Sequence, residues 1–290
     1  MSKILHRVGL GNKKAFQAFK YIVYLILFGN FVYFLLEDMG SSAHTFRDGI
    51  ALTDIVNAFS ASTDTLAWLI LLLAFELETY AIPDEKFTKK VKWSLNIVAA
   101  VCYAAILTAL NGYIVHASWF YNFDPAELTD ACAYVGQILS AGVYLHEYEP
   151  LTLENCASYV APLFINSELS ILTSSEGLSM LRRLSTLDVV NASTWVLVVI
   201  VLAIDVYLQE RGKLTDRLYD YSKRIKFVLY GSLFLCASYW AMLGDGIGTW
   251  DAAIWIIAFF FIEMNVQQWH EEESEKEKVK NTPVSSETVS

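Results

Sequence analysis

The chain has 290 residues, 55% of them hydrophobic and 14% aromatic, with a formal net charge of −10. Its apolar residues gather in long blocks rather than an amphipathic stripe, which excludes a water-soluble globular domain in favour of a chain solvated by lipid. The acidic balance and the lack of a basic face exclude a nucleic-acid partner.

In chain order, MSKILHRVGLGNKK is basic and runs into an apolar block long enough to stay in a membrane, with no small-residue cleavage site after it. It reads as a retained cytoplasmic segment, residues 1–19. Six blocks are long enough to cross a bilayer: 20–38, 65–82, 93–114, 192–208, 227–244 and 251–268. They group as transmembrane helices 1 to 3 (20–114) and 4 to 6 (191–268), separated by a long loop (115–190) and followed by a charged tail (269–290). With the N-terminus in the cytoplasm, the inner segments hold 18 of the 21 Lys and Arg, and only Arg47, Arg182 and Arg183 lie outside. The positive-inside rule therefore puts both termini in the cytoplasm of a cell or inner membrane.

The first, third and fifth spans share a frame: Lys20 to Gly40, Lys92 to Gly112 and Lys226 to Gly246, each Lys-x19-Gly. The spacing predicts a lysine snorkelling at the inner surface and a glycine ending each helix at the outer one. After Gly40, the stretch HTFRDGIALTDIVNAFSAS alternates polar and apolar residues at helical spacing and is expected to lie flat on the outer leaflet.

The even spans repeat a second pattern: DTLAWLILLLAFELE from Asp64, NASTWVLVVIVLAID from Asn191 and DAAIWIIAFFFIEMN from Asp251. In each, the polar first residue is expected to cap the helix, and Trp68, Trp195 or Trp255 four residues on is expected to anchor it at the membrane interface. Farther along come Glu76 and Glu78, Asp205, then Glu263 and Asn265, at matching positions. Twelve to fourteen residues past the cap is a depth of about 18 to 21 Å, beyond the midplane of the hydrocarbon.

The loop 115–190 is expected to fold as a small helical extracytoplasmic cap, with a helix start at Asp124-Pro125-Ala126-Glu127, a buried helix over Ala131 to Tyr144 and a further helix from Ser174 and Ser175 into the fourth span. Cys132 and Cys156 fall in this loop, where disulfides persist, and are expected to be bonded, whereas Cys102 and Cys236 are mid-span packing residues. The tail HEEESEKEKVKNTPVSSETVS lacks apolar periodicity and reads as disordered.

The predicted fold is thus an all-α integral membrane protein of six transmembrane helices, built as three repeated two-helix hairpins in pseudo-threefold arrangement, with one cap between helices 3 and 4. The layout resembles mitochondrial carriers in architecture alone. Their P-x-[DE]-x-x-[KR] signature is missing, since no odd span contains a proline, and a shared layout carries no function.

No span holds a lysine for a retinal Schiff base or paired histidines for haem, and His6, His44, His116, His146 and His270 show no metal-ligand spacing. No hydrolase, metalloprotease or P-loop motif is present. No catalytic residue, cofactor or metal is therefore assigned. Ionisable groups inside a membrane point to function. The leading expectation is a transport or channel component that binds or moves a small cation or protons through Glu76, Glu78, Asp205, Glu263 and Asn265. The alternative is a non-catalytic assembly subunit in which these acids pair with Lys20, Lys92 and Lys226 to hold the bundle together. Expected partners are the lipid bilayer and, through the outer loop or the tail, other membrane proteins.

Overall fold

The computed structural model describes residues 13–45, 55–78 and 88–261, apart from 138, 146 and 212. Glu263, Asn265, the tail 269–290 and residues 46–54 of the stretch expected on the outer leaflet lie outside the described residues. Six helices carry the fold: α1 (Lys13–Thr45), α2 (Ser60–Glu76), α3 (Lys89–Trp119), α4 (Ser175–Glu210), α5 (Asp216–Leu243) and α6 (Gly246–Phe261). Within them Gln17–Ala43, Lys89–Trp119, Ser175–Asp205 and Arg217–Leu243 are long and apolar enough to cross a membrane, and α6 is a shorter apolar helix. Their outer faces carry large apolar side chains in the open, among them Leu25, Trp93, Phe227 at 79% exposure and Met242 at 81%. Contiguous apolar surface of this kind marks a protein whose solvent is lipid.

Helix ends follow local chemistry. Thr88 and Thr215 cap α3 and α5 by accepting from the Val91 and Leu218 amides, each at 3.4 Å. α5 stops at Gly244, whose φ of 86° suits a residue without a Cβ, while the Asp245 amide donates back to the Trp240 carbonyl at 2.9 Å. Asp245 then starts α6, its Oδ1 accepting from the Gly248 amide at 2.7 Å.

These ends correct the expected frame. Gly40 and Gly112 lie inside helices and Gly246 begins one. The twenty-residue frame matches a hydrocarbon layer, but α1 and α3 run beyond it. Asp64, Asn191 and Asp251 are not caps either, because each sits within a helix. α2 begins at Ser60 without a side-chain cap of its own. Asp38 of α1 supplies the missing acceptor, taking hydrogen bonds from the Ser62 amide at 2.8 Å and its hydroxyl at 2.7 Å.

The segment between α3 and α4 is a sheet, not the helical cap expected. Its strands are β1 (Asp124–Pro125), β2 (Ser140–Tyr144), β3 (Glu147–Pro150), β4 (Leu163–Asn166) and β5 (Ile171–Ser174), in the order β1-β4-β5-β2-β3. β2 runs parallel to β5, and the other pairs are antiparallel. Pro125 falls in an edge strand instead of a first helical turn. The expected helix over 131–144 shrinks to one 3-10 turn at Ala131–Tyr144's start, Ala131–Tyr134, capped by Asp130 and followed by Gly136 at φ 91°. The disulfide Cys132–Cys156 ties that turn to a second one, Cys156–Ser158. Cys102 and Cys236 are free and buried in the bundle.

The sheet is fastened to the helices. Asn166 Nδ2 donates to the Trp119 carbonyl at 3.3 Å and Arg182 Nε to the Phe120 carbonyl at 2.7 Å, satisfying acceptors at the end of α3. Beneath them Phe120, Ile171, Leu181 and Leu184 are fully or almost fully buried in a shared core with Trp240. β5 passes straight into α4 at Ser175, so the helix expected from Ser174 and Ser175 is the first part of the fourth span itself.

Candidate functional site

The repeated Asp/Asn-x3-Trp pattern puts its two residues one helical turn apart on one face. In α2, α4 and α6 that face turns inward, and Asp64 with Trp68, Asn191 with Trp195 and Asp251 with Trp255 line one cavity of about 470 Å³. The other helices complete it with Tyr33 and Glu37 from α1, Tyr113 from α3 and Trp240 from α5. The sheet covers it with Tyr144 and Glu147, and the α5–α6 turn adds Asp245.

The three tryptophans of the repeat are 6 to 7% exposed. They meet over Phe259, whose ring lies 4.5 Å from that of Trp195, 5.7 Å from Trp68 and 6.4 Å from Trp255. This arrangement replaces the lipid-facing anchors expected at Trp68, Trp195 and Trp255: the indoles form the cavity's floor. Indole N–H groups of the lining hold carboxylates. Trp68 Nε1 donates to Asp64 Oδ1 at 2.9 Å, and Trp255 and Trp240 likewise hydrogen-bond Asp251 and Asp188. Asp251 also accepts from Asn30 Nδ2 at 2.6 Å, and Asp64 from Tyr113.

Six carboxylates line the space (Glu37, Asp64, Glu147, Asp188, Asp245 and Asp251), and no Lys, Arg or His is among its described lining residues. Asp64 and Asp251 feel one another's charge, as do Asp188, Asp245 and Glu37. Burial first, and then the carboxylates of Asp245, Asp188 and Glu147, push the Tyr144 phenol above its ordinary pKa, so it stays protonated as a donor. The Tyr144 hydroxyl lies beside the Asp245 carboxylate, and Asn191 Oδ1, a buried polar atom of the lining, receives no hydrogen bond. Like charges gathered against apolar walls hold protons or recruit a cation. Among the described residues no group of three or more His, Cys, Asp or Glu is placed to hold a metal ion.

The acids singled out in the sequence lie elsewhere. Glu76, 6% exposed, is ion-paired with Lys20 at 2.5 Å and accepts from Tyr24 at 3.3 Å. Asp205, 7% exposed, is ion-paired with Lys226 at 3.3 Å and accepts from Ser222 at 2.5 Å. Glu78 and Lys92 are exposed, and Glu263 and Asn265 fall outside the described residues. Glu76 follows Asp64 by twelve residues of one helix and Trp68 by eight, which places the Lys20 pair about 18 Å from the cavity's acid and about 12 Å beyond its floor.

Glu37, Tyr113, Asp188 and Asp245 were not singled out in the sequence, because each sits near the end of an apolar block, where an acid or tyrosine is ordinarily a solvated boundary residue. The signal that finds the cavity is the identical Asp/Asn-to-Trp spacing, met three times in one chain. No family model, curated protein or solved structure matches the chain. The cavity itself is the basis for assigning a function.

Proposed function

We propose that the protein is a membrane transport or channel component that takes a cation into this cavity from the extracytoplasmic side. The observation that carries the reading is the lining: six carboxylates and no basic side chain among the described residues around a space walled by indoles. Such a space concentrates positive charge and repels anions. In this reading the six helices are three hairpins about a pseudo-threefold axis, with Asp64, Asn191 and Asp251 as equivalent positions. The distribution of Lys and Arg, 18 of 21 on the side of the termini, sets the sheet and the cavity mouth outside. Glu76 and Asp205 then lie towards the cytoplasm, where opening of a lysine pair would free a carboxylate to pass a cation or proton onward; Glu78 belongs to the same stretch of α2's end, and Glu263 and Asn265 hold the matching positions of the sequence repeat.

A second reading, a non-catalytic assembly subunit, is supported by the buried pairs Lys20–Glu76 and Lys226–Asp205. Flux of cations and protons in proteoliposomes separates the two. Transport requires that wild-type flux be lost in Asp64→Asn, Asp188→Asn and Asp251→Asn. If wild-type vesicles carry no cation or proton, and purified protein binds none, the subunit reading stands. Glu76→Gln, Glu78→Gln, Asp205→Asn and Glu263→Gln in the same assay test the inner acids: loss of flux in protein that reconstitutes folded puts them on the path, and lowered stability with flux unchanged makes them clamps. Orientation is read by placing a cysteine at exposed Leu153 in the sheet or at exposed Lys213 between α4 and α5. An impermeant maleimide added to intact cells should label the first and spare the second.

A further inference from the structure

Three features of the cavity narrow the cation, on the footing of the cation-binding reading above. The first is charge. Six carboxylates line the space, enough to face more than one positive group, and the acids fall into two tiers. Asp64 and Asp251 occupy the same position of the repeat as Asn191, and Asp188 lies three residues nearer the sheet on α4, level with the approach of Glu37 and Asp245. One helical turn, about 5 Å, separates the tiers.

The second feature is the wall. Trp68, Trp195 and Trp255 present aromatic surface beside the carboxylates, and Trp240 hydrogen-bonds Asp188 in the upper tier. Indole faces take up methylene groups next to a positive nitrogen through both apolar contact and cation–π attraction. A bare inorganic ion gains nothing from the apolar contact. A hard divalent metal also needs several converging oxygens, typically about six, and the described residues contain no such set.

The third feature is the unfilled hydrogen-bonding capacity. Asn191 Oδ1 is buried and receives no hydrogen bond. An amide oxygen is satisfied only by a donor. A quaternary ammonium has no N–H to offer, whereas a primary or secondary ammonium has two or three.

We infer that the cavity binds a linear aliphatic amine with two or more ammonium groups, one held in the tier of Asp64 and Asp251 over the indoles of the floor and the next by Asp188, with the chain between them passing beside Trp240. Three or four methylenes span one helical turn, about 5 Å, so a 1,3- or 1,4-diamine unit has the matching length.

The test is binding to the full-length protein in nanodiscs, read by calorimetry and indole fluorescence, with 1,4-diaminobutane, spermidine, n-butylamine, tetramethylammonium, Na⁺ and Ca²⁺ as probes. The diamine and spermidine should bind at least tenfold more tightly than butylamine and displace the other cations. Asp188→Asn should weaken the diamine tenfold or more while leaving butylamine within about threefold, because only the second ammonium loses its partner. Asn191→Leu should weaken both amines. It serves as the second variant, and thermal unfolding of each variant confirms the fold. If butylamine, tetramethylammonium or a metal ion binds as tightly as the diamine, the polyamine inference is overturned while the cation reading survives. If none of the six probes binds, both fall.

Discussion

Asn30 Nδ2 donates to Asp251 Oδ1 at 2.6 Å, joining residues 221 apart in the chain. The bond closes α6 onto α1 and holds one of the cavity's acids in place. A hydrogen bond to a charged group contributes about 1.5–3 kcal/mol. Asn30→Leu should lower unfolding free energy by about that amount and weaken cation binding, whereas Asn30→Asp should cost more stability because it sets two acids side by side. Denaturant titration in micelles, followed by near-UV circular dichroism, reads the first effect.

The pairs Lys20–Glu76 and Lys226–Asp205 are buried, with side chains at most 12% exposed. Removing one partner strands the other, at a cost of about 3–5 kcal/mol. Glu76→Gln and Asp205→Asn should each approach that loss. The double variant Lys20→Met with Glu76→Leu should recover most of it, since a buried ion pair replaced by apolar groups of similar volume is often close to neutral. Lys92→Ala, at an exposed position, should stay within about 0.5 kcal/mol of wild type.

Phe259 touches all three repeat tryptophans at the floor of the cavity and is 4% exposed. Phe259→Ala should destabilise by about 3–5 kcal/mol through the void it leaves. It should also shift the tryptophan emission to longer wavelength as water reaches the indoles, whereas Phe260→Ala, on an exposed ring, should do neither.

Two glycines make opposite predictions. Gly244 sits at φ 86°, and an alanine there should lose about 1–2 kcal/mol through left-handed strain. Gly40 lies inside α1 with nothing within 4 Å of an added Cβ, so Gly40→Ala should be neutral or stabilising by up to about 1 kcal/mol. Thermal unfolding midpoints of the two variants give the sign.

The Cys132–Cys156 bond encloses a short loop of the sheet. Cys132→Ser should lower the stability of that region by about 2–4 kcal/mol. Hydrogen exchange should rise across β2 and β5 while α3 keeps its protection, and digestion of the wild type without reductant should release the two cysteines as one linked peptide.

Much of the bundle was legible in the sequence because a membrane leaves little choice: long apolar blocks must be helices, and four of the six expected spans are long and apolar enough to cross among the described residues. Where they end was not. Asp64, Asn191 and Asp251 look like caps when only their own span is considered, but the acceptor that starts α2 is Asp38, supplied by another helix. The sheet escaped notice because its strands are two to five residues long and its pairing is set by contacts far along the chain. Cys132 and Cys156 were the exception, since compartment alone argues for their bond. The cavity was half visible: the spacing of Asp64 to Trp68 was plain in all three copies, but periodicity does not say whether a face looks at lipid or at its neighbours.

α4 is one unbroken helix of 36 residues, about 54 Å long. It takes over directly from strand β5, carries Asp188 and Asn191 into the cavity, and delivers Asp205 to Lys226 some four turns farther on. One continuous rod thus carries both the cavity residues and the buried Asp205–Lys226 pair, so a substitution that displaces α4 at one level is expected to disturb the other.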